Sequence, residues 1–224
     1  MTIFTLPNIL YDLKSKNLKL KFTKTSPPIF LTSNISDYLN KVKKLIDNNK
    51  NNWDNYKKYT NPYEFIHTNI SISTTCVSKI KPISRAFFKL IEIFNEFNII
   101  DKYIGPMRSF HLAEGPGGFL QAIEYLRKNS NDIYYGMTLE DKFNSSIPGW
   151  DSSIDILNNI ENIKIETGPS GNGNLFDPSN YIYLYNKFRH TMNIITADGG
   201  IDFSSNFNDQ ENLSFRLILT QVLY

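Results

Sequence analysis

The sequence predicts an α/β protein built on a doubly wound, mostly parallel sheet, and three observations predict it. From residue 109 onward, short apolar runs alternate with segments of helical periodicity. Two of those runs end in glycine-rich turns, at residues 115–118 and 197–200. Both turns fall where a parallel sheet places its ligand, beyond the carboxyl ends of the strands.

Residues 1–35 read as mixed strand and loop, punctuated by Pro27 and Pro28. Residues 35–49 read as a helix: Leu39, Val42, Leu45 and Ile46 share one face, and Ser36 is the candidate cap. A Tyr- and Asn-rich stretch follows. The next helix lies within residues 81–100, with Ser84 as its N-cap and Phe87, Leu90, Ile91, Phe94 and Phe97 as its apolar stripe. Arg85, Lys89, Glu92 and Glu96 take the opposite side. Strands are expected at residues 109–113, 133–138, 163–167 and 193–197. The first is followed by a helix marked by Phe119, Ala122, Ile123 and Leu126; further helices are expected at residues 179–190 and from 209 to the end.

The chain of 224 residues is long enough for one well-buried core. Its single cysteine, Cys76, excludes an internal disulfide and a cysteine metal cluster. No apolar run approaches the roughly 18 residues of a membrane span, and residues 1–16 lack the pattern of a signal peptide. An intracellular protein is expected. The net charge of +2 hides an asymmetry: residues 1–100 carry +8 and residues 101–224 carry −6. A basic first half suggests a surface facing a polyanion, although lysines also solvate helix faces. The excess of Asn, Ile, Lys, Tyr and Phe is what A/T-rich codons supply, as in many large DNA viruses and some protists.

The turn EGPGGF (residues 114–119) brings backbone close to something. It lacks the Gly-Lys-Ser/Thr ending of a Walker loop, and Leu120 stands where a dinucleotide fingerprint has its third glycine. S-adenosylmethionine, which has no phosphate, is the third candidate. A turn needed only for strand–helix packing is the fourth.

Four segments read in order carry a resemblance: NPYEFI (61–66), SRAFFKL (84–90), AEGPGGF (113–119), and TADGGIDF with DQEN (196–212). YGMTL (135–139) and GNGNLFDPSN (171–180) add to it. Together they resemble the FtsJ-related cap-specific mRNA 2′-O-methyltransferases over residues 40–224. The resemblance implies a Rossmann-like S-adenosylmethionine-dependent methyltransferase fold, with residues 1–75 as a basic, RNA-facing extension. It implies an enzyme that methylates the ribose 2′-hydroxyl of a cap-proximal nucleotide through a Lys-Asp-Lys-Glu tetrad. Lys89 matches the first Lys and Asp198 the Asp. Ser84, Ala113, Glu114, Gly115, Pro116, Gly117, Gly118 and Phe119 match cofactor-contacting positions. Asn174 and Leu175 match an adenine-contacting pair whose first member is often Asp. Lys43, Lys44, Asn212, Leu213 and Ser214 match segments that contact capped RNA. No metal is expected in the site. Capped mRNA is the implied substrate, with other capping enzymes or RNA polymerase as partners. A cytoplasmic virus factory or the virion is the expected location if the gene is viral, and the nucleus otherwise.

Read without the resemblance, Lys89 is a solvated lysine, Asp198 a turn former, and Trp53, Tyr56, Tyr59 and Tyr63 are packing residues rather than a stacking surface for bases. His111 stands where the wider class places an acidic strand residue. The pattern breaks at the end of the chain: the second Lys and the Glu of the tetrad have no counterpart before Tyr224. A chain that is part of a longer protein is therefore expected, with residues 193–197 as a bare sheet edge. Two further readings stand beside the first: a catalytically silent cofactor- or RNA-binding module of a capping assembly, and a methyltransferase acting on ribosomal or transfer RNA.

Overall fold

A computed structural model of the chain describes residues 14, 33–49, 52, 56, 78–141, 143–144, 147–201 and 210–224. The chain divides into two compact units, Met1–Leu45 and Ile46–Tyr224. Pro27, Pro28, Trp53, Tyr59, Tyr63 and the NPYEFI segment lie outside the described residues.

Helix α1 (Ser33–Asp47) follows the expected period, but it begins two residues early, so Ser36 lies inside it and does not cap it. Its stripe is not buried: Leu39, Val42 and Leu45 are all exposed. Helix α2 (Ala86–Glu96) buries Phe87, Leu90 and Phe94, while Phe97 points to solvent. Ser84 is not its N-cap. Arg85 holds that position with no capping hydrogen bond from its side chain to the helix, and the Phe87 N–H is met by the Ser84 backbone carbonyl at 3.2 Å.

The sheet comprises β1 (Arg108–Leu112), β2 (Ile133–Met137), β3 (Ile163–Ile165) and β4 (Ile194–Ala197). Its order is β3-β2-β1-β4, with every pairing parallel. Helices α3 (Gly118–Arg127), α4 (Ile154–Asn158) and α5 (Pro178–Phe188) make the crossovers. Helix α6 (Gln210–Leu223) follows β4. Each strand matches its expected position to within two residues. The five-residue α4 was not expected, being too short to show a helical period.

Period-two alternation sends β1 to two cores. Met107, just before the strand, packs with Phe87, Leu90 and Phe94 of α2 and Leu120 and Ile123 of α3. Phe110 and Leu112 pack on the other face with Met137, Leu184 of α5 and Leu217 of α6. Leu120 and Ile123 are fully buried, which stabilises the fold by about 1.5–3 kcal/mol each. At the amino ends of β1 and β2, buried Asp132 accepts hydrogen bonds from Met107 N at 2.7 Å and Tyr134 Oη at 2.9 Å, and pairs with Arg127 at 2.7 Å. That end of the sheet is locked by side chains.

The opposite end is organised differently. The chain moves outward from β1 through β2 to β3, then returns to place β4 on the other side of β1. The direction of winding therefore reverses between β1 and β4, and a crevice opens beyond their carboxyl ends. Strand β4 is an edge among the described strands, with Ile195 exposed.

Candidate functional site

The turn after β1 is fixed by its own side chain. The Glu114 N–H donates to the Met137 carbonyl at 3.1 Å, anchoring the turn on β2. Glu114 Oε1 accepts from the backbone N–H groups of Phe119 at 2.7 Å and Leu120 at 2.9 Å. These are the first-turn donors of α3, which a bound phosphate would otherwise satisfy. Burial pushes the Glu114 carboxyl up to about 8; the two N–H donors pull the other way, and the Asp198 charge adds to the rise. With an internal carboxyl on this helix start, the turn does not offer a pyrophosphate cradle. A phosphate-free ligand is what fits.

The glycines have local reasons. Gly117 has φ 116, in the left-handed region that glycine tolerates. A Cβ on Gly118 would fall 2.2 Å from Ser84 Oγ, so this glycine lets α3 start against the segment leading into α2. The peptide bond between Gly115 and Pro116 is cis. Ser84 Oγ itself is buried and makes no hydrogen bond in the described structure, leaving one polar atom beside the turn.

At the end of β4, Asp198 Oδ2 accepts from Lys89 Nζ at 2.7 Å. The two come from α2 and the turn after β4, and Asp198 is the one that lines the cleft. Both remain open to solvent, with side chains 58% and 41% exposed, so a reactant can approach them.

Between these turns lies a cleft of about 550 Å³. Ala113 and Gly115 form one part of its wall, Thr138 and Leu139 after β2 another, and Asn174 and Leu175 a third. Asp198, Gly199 and Gly200 close the β4 side. That volume lies within the usual range for small-molecule sites. Ala113, Gly115, Asn174, Leu175 and Asp198 all line this one cleft. Glu114 and Phe119 are buried beneath the turn, with the Glu114 carboxyl directed at α3 rather than at the cleft. Thr138, Leu139, Ile147, Pro148, Phe176 and Leu217 also line the cleft and were missed. The YGMTL segment was the available signal for Thr138 and Leu139. The loop residues 147 and 148 carry no periodicity that could have marked them.

His111 is fully buried beneath the site. Its Nε2 lies 2.8 Å from Ser109 Oγ and its Nδ1 2.7 Å from Thr196 Oγ1, tying β1 to β4. Burial lowers its pKa to about 3, so the ring is neutral, with one nitrogen donating and the other accepting. No grouping of His, Cys, Asp and Glu able to hold a metal occurs among the described residues.

Of the RNA-facing positions, Lys43 is half-buried and Lys44 exposed on α1. Asn212, Leu213 and Ser214 lie in the first turns of α6, with Asn212 and Leu213 exposed. Leu217, one turn further along, reaches the cleft. No helix among the described residues is long and apolar enough to cross a membrane.

The fold and the cleft define a class of protein, and comparison with known proteins specifies it. The model of the FtsJ-like methyltransferase family matches residues 82–224. The chain belongs to that family. It is 29% identical over 140 residues to the cap-specific mRNA (nucleoside-2′-O-)-methyltransferase of Autographa californica nuclear polyhedrosis virus, a match covering 61% of this chain and 48% of that protein. The chain therefore spans about half the length of this curated relative. A solved Plasmodium falciparum structure assigned as a ribosomal RNA methyltransferase is 20% identical, with a TM-score of 0.41, covering 62% of this chain and 68% of that one.

Proposed function

We propose that the chain carries the cofactor site and the Lys89–Asp198 pair of the catalytic set of an S-adenosylmethionine-dependent methyltransferase acting on the ribose 2′-hydroxyl of a cap-proximal mRNA nucleotide. The observation that carries this reading is the 2.7 Å Lys89–Asp198 pair at the edge of the crevice. An ion pair this exposed contributes little to stability.

The residues fit the cofactor. The cleft is of suitable size, it is walled by backbone at the ends of β1 and β2, and its helix start is already answered by Glu114. Ala113, Gly115, Thr138, Leu139, Asn174 and Leu175 would hold the cofactor, and Ser84 Oγ is an unused polar atom beside the turn. The sulfonium of the bound cofactor supplies the methyl group. The chain's own residues prepare the acceptor. Lys89 has N–H donors beyond the one engaged by Asp198, and these can orient a ribose oxygen. Asp198 fixes the amine and balances its charge. Removing the hydroxyl proton falls to an amine in its neutral form, the role the resemblance gives to the lysine set. Cap specificity is supported by the viral relative and by the ordered motifs.

The test is transfer of labelled methyl from S-adenosylmethionine, by the full-length gene product, to a capped RNA, an uncapped RNA of the same sequence, and a ribosomal RNA fragment. The reading expects label on the capped RNA, at the 2′-oxygen of a cap-proximal nucleotide. Preference for the ribosomal fragment would replace cap specificity, and cofactor binding without transfer to any RNA would favour a silent module.

A further inference from the structure

Ser153 has the residue type and the position of an N-cap, just ahead of α4, yet its hydroxyl makes no capping bond to that helix. The residue is buried, so the hydroxyl must find another partner. Ser153 Oγ donates to the carbonyl of Pro116, in the turn after β1. The other acceptor within reach, the Trp150 carbonyl, is 3.3 Å away and already takes the N–H groups of Ser153 and Ile154 at 2.9 Å each.

The Pro116 carbonyl needs that donor. In a helix it would accept from Leu120 N, four residues on. Glu114 Oε1 takes the Leu120 N–H and the Phe119 N–H instead, and the backbone ladder begins one residue later, with Gln121 N on the Gly117 carbonyl at 3.1 Å. No backbone N–H among the described residues reaches the Pro116 carbonyl. The N–H of the same peptide, on Gly117, donates to the Glu114 carbonyl at 2.8 Å. That bond lies within the turn and moves with it. The Ser153 bond ties the peptide to a different segment, and Gly117 beside it has no side chain to limit rotation.

Two packing contacts flank the bond at four-residue spacing. A Cβ on Gly115 would fall 2.6 Å from the Gly149 carbonyl oxygen, and one on Gly117 would fall 3.0 Å from Leu157 Cδ1. Residues 149, 153 and 157 thus meet Gly115, Pro116 and Gly117 in order. Ile147 and Pro148, immediately before them, line the cleft, as Gly115 does.

We propose that Ser153 is a positioning residue for the cofactor: through the Pro116 carbonyl it sets the backbone of the turn after β1 and fixes that turn to the segment carrying Ile147 and Pro148. The proposal rests on the cofactor reading of the cleft. Without the hydroxyl, the peptide between Pro116 and Gly117 is held at one end only. Binding must then select the orientation that the wild type holds in advance, and affinity falls by that cost.

Calorimetric titration of S-adenosylhomocysteine into the wild type, Ser153→Ala and Phe94→Leu, with melting curves for each, tests this. Phe94 is buried in the core beneath α2 and does not line the cleft, so Phe94→Leu shows what lost stability alone does to binding. Ser153→Ala is expected to bind about fivefold or more weakly, the scale of one net hydrogen bond, and Phe94→Leu to stay within about twofold of the wild type. Ser153→Cys keeps the shape with a poor donor; it should also bind more weakly, and it keeps the test available if the alanine variant does not fold. A folded Ser153 variant that melts lower yet binds as tightly as the wild type has lost only a structural bond, which overturns the proposal and leaves the cofactor reading intact. Equal weakening in Phe94→Leu overturns it as well. Failure of the wild type to bind overturns the cofactor reading, and this inference with it.

Discussion

Lys89 Nζ and Asp198 Oδ2 are 2.7 Å apart, although 109 positions separate the two residues in the chain. Exposed pairs of this kind contribute only about 0–1 kcal/mol to stability. Lys89→Met and Asp198→Asn should therefore shift the melting temperature by no more than about 4 °C. Methyl transfer to capped RNA should fall by about 10²–10⁴, the range for removing a group that handles a proton in the transition state. Thermal melts and labelled-methyl transfer check both halves, and wild-type rates in either variant would contradict the assignment.

Glu114 predicts a stability that declines towards alkaline pH. Its folded pKa, about 8, lies above its ordinary value of 4.5. The unfolded chain releases the proton above about 4.5, while the folded chain retains it until about 8. Stability from this group is complete below the lower value and is lost as pH rises through the window, by roughly 1 kcal/mol per pH unit. Glu114→Gln keeps an acceptor for the Phe119 and Leu120 N–H groups without the titration. Urea unfolding from pH 5 to 8 should show the variant gaining steadily on the wild type, and parallel profiles would contradict this.

His111 acts in the opposite direction. Its folded pKa of about 3 lies below its ordinary 6.5, so the unfolded chain binds a proton that the folded chain refuses. Its contribution is complete above 6.5 and is lost as pH falls towards 3. Carbon-13 NMR of the ring should show no protonation of His111 between pH 7.5 and 4.5 in the folded protein. A titration midpoint near 6.5 would mean that the ring is not held between Ser109 and Thr196.

If Lys43 and Lys44 contact RNA phosphates, their joint replacement by Ala should weaken capped RNA binding most at low salt. For single strands each lost contact lowers the slope of log affinity against log salt by about 0.7, so the double variant should lose about 1.4. An unchanged slope would assign both lysines to solvation of α1.

The strands and long helices were legible because periodicity is local: Phe119, Ala122 and Ile123 announce α3, and all three are buried. What failed depended on neighbours distant in sequence. Ser84 has the residue type of a cap, yet its backbone carbonyl, not its hydroxyl, meets Phe87 N. Gly118, read as part of a ligand turn, also makes room for Ser84 by its missing Cβ, a contact that no local pattern shows. Lys89 alone reads as a solvated lysine on the polar side of its helix, and only the ordered motifs pointed to Asp198. The stripe of Leu39, Val42 and Leu45 has the right period and is nonetheless exposed, since periodicity states which residues share a face and not what covers it. Ile147 and Pro148 reach the cleft from a loop, which no local pattern records.

The central claim is that the crevice between β1 and β4 binds S-adenosylmethionine. Gly200 lines this cleft, and a Cβ built on it meets nothing within 4 Å among the described residues, so a bulky side chain there can obstruct the cleft. The most direct test is calorimetric titration of S-adenosylhomocysteine into the wild type and Gly200→Phe, with melting curves for both. The account predicts saturable one-to-one binding by the wild type, lost or weakened at least tenfold in a variant with an unchanged melting temperature. Equal binding by the two proteins would place the ligand elsewhere, and no binding by a folded wild type would contradict the claim outright.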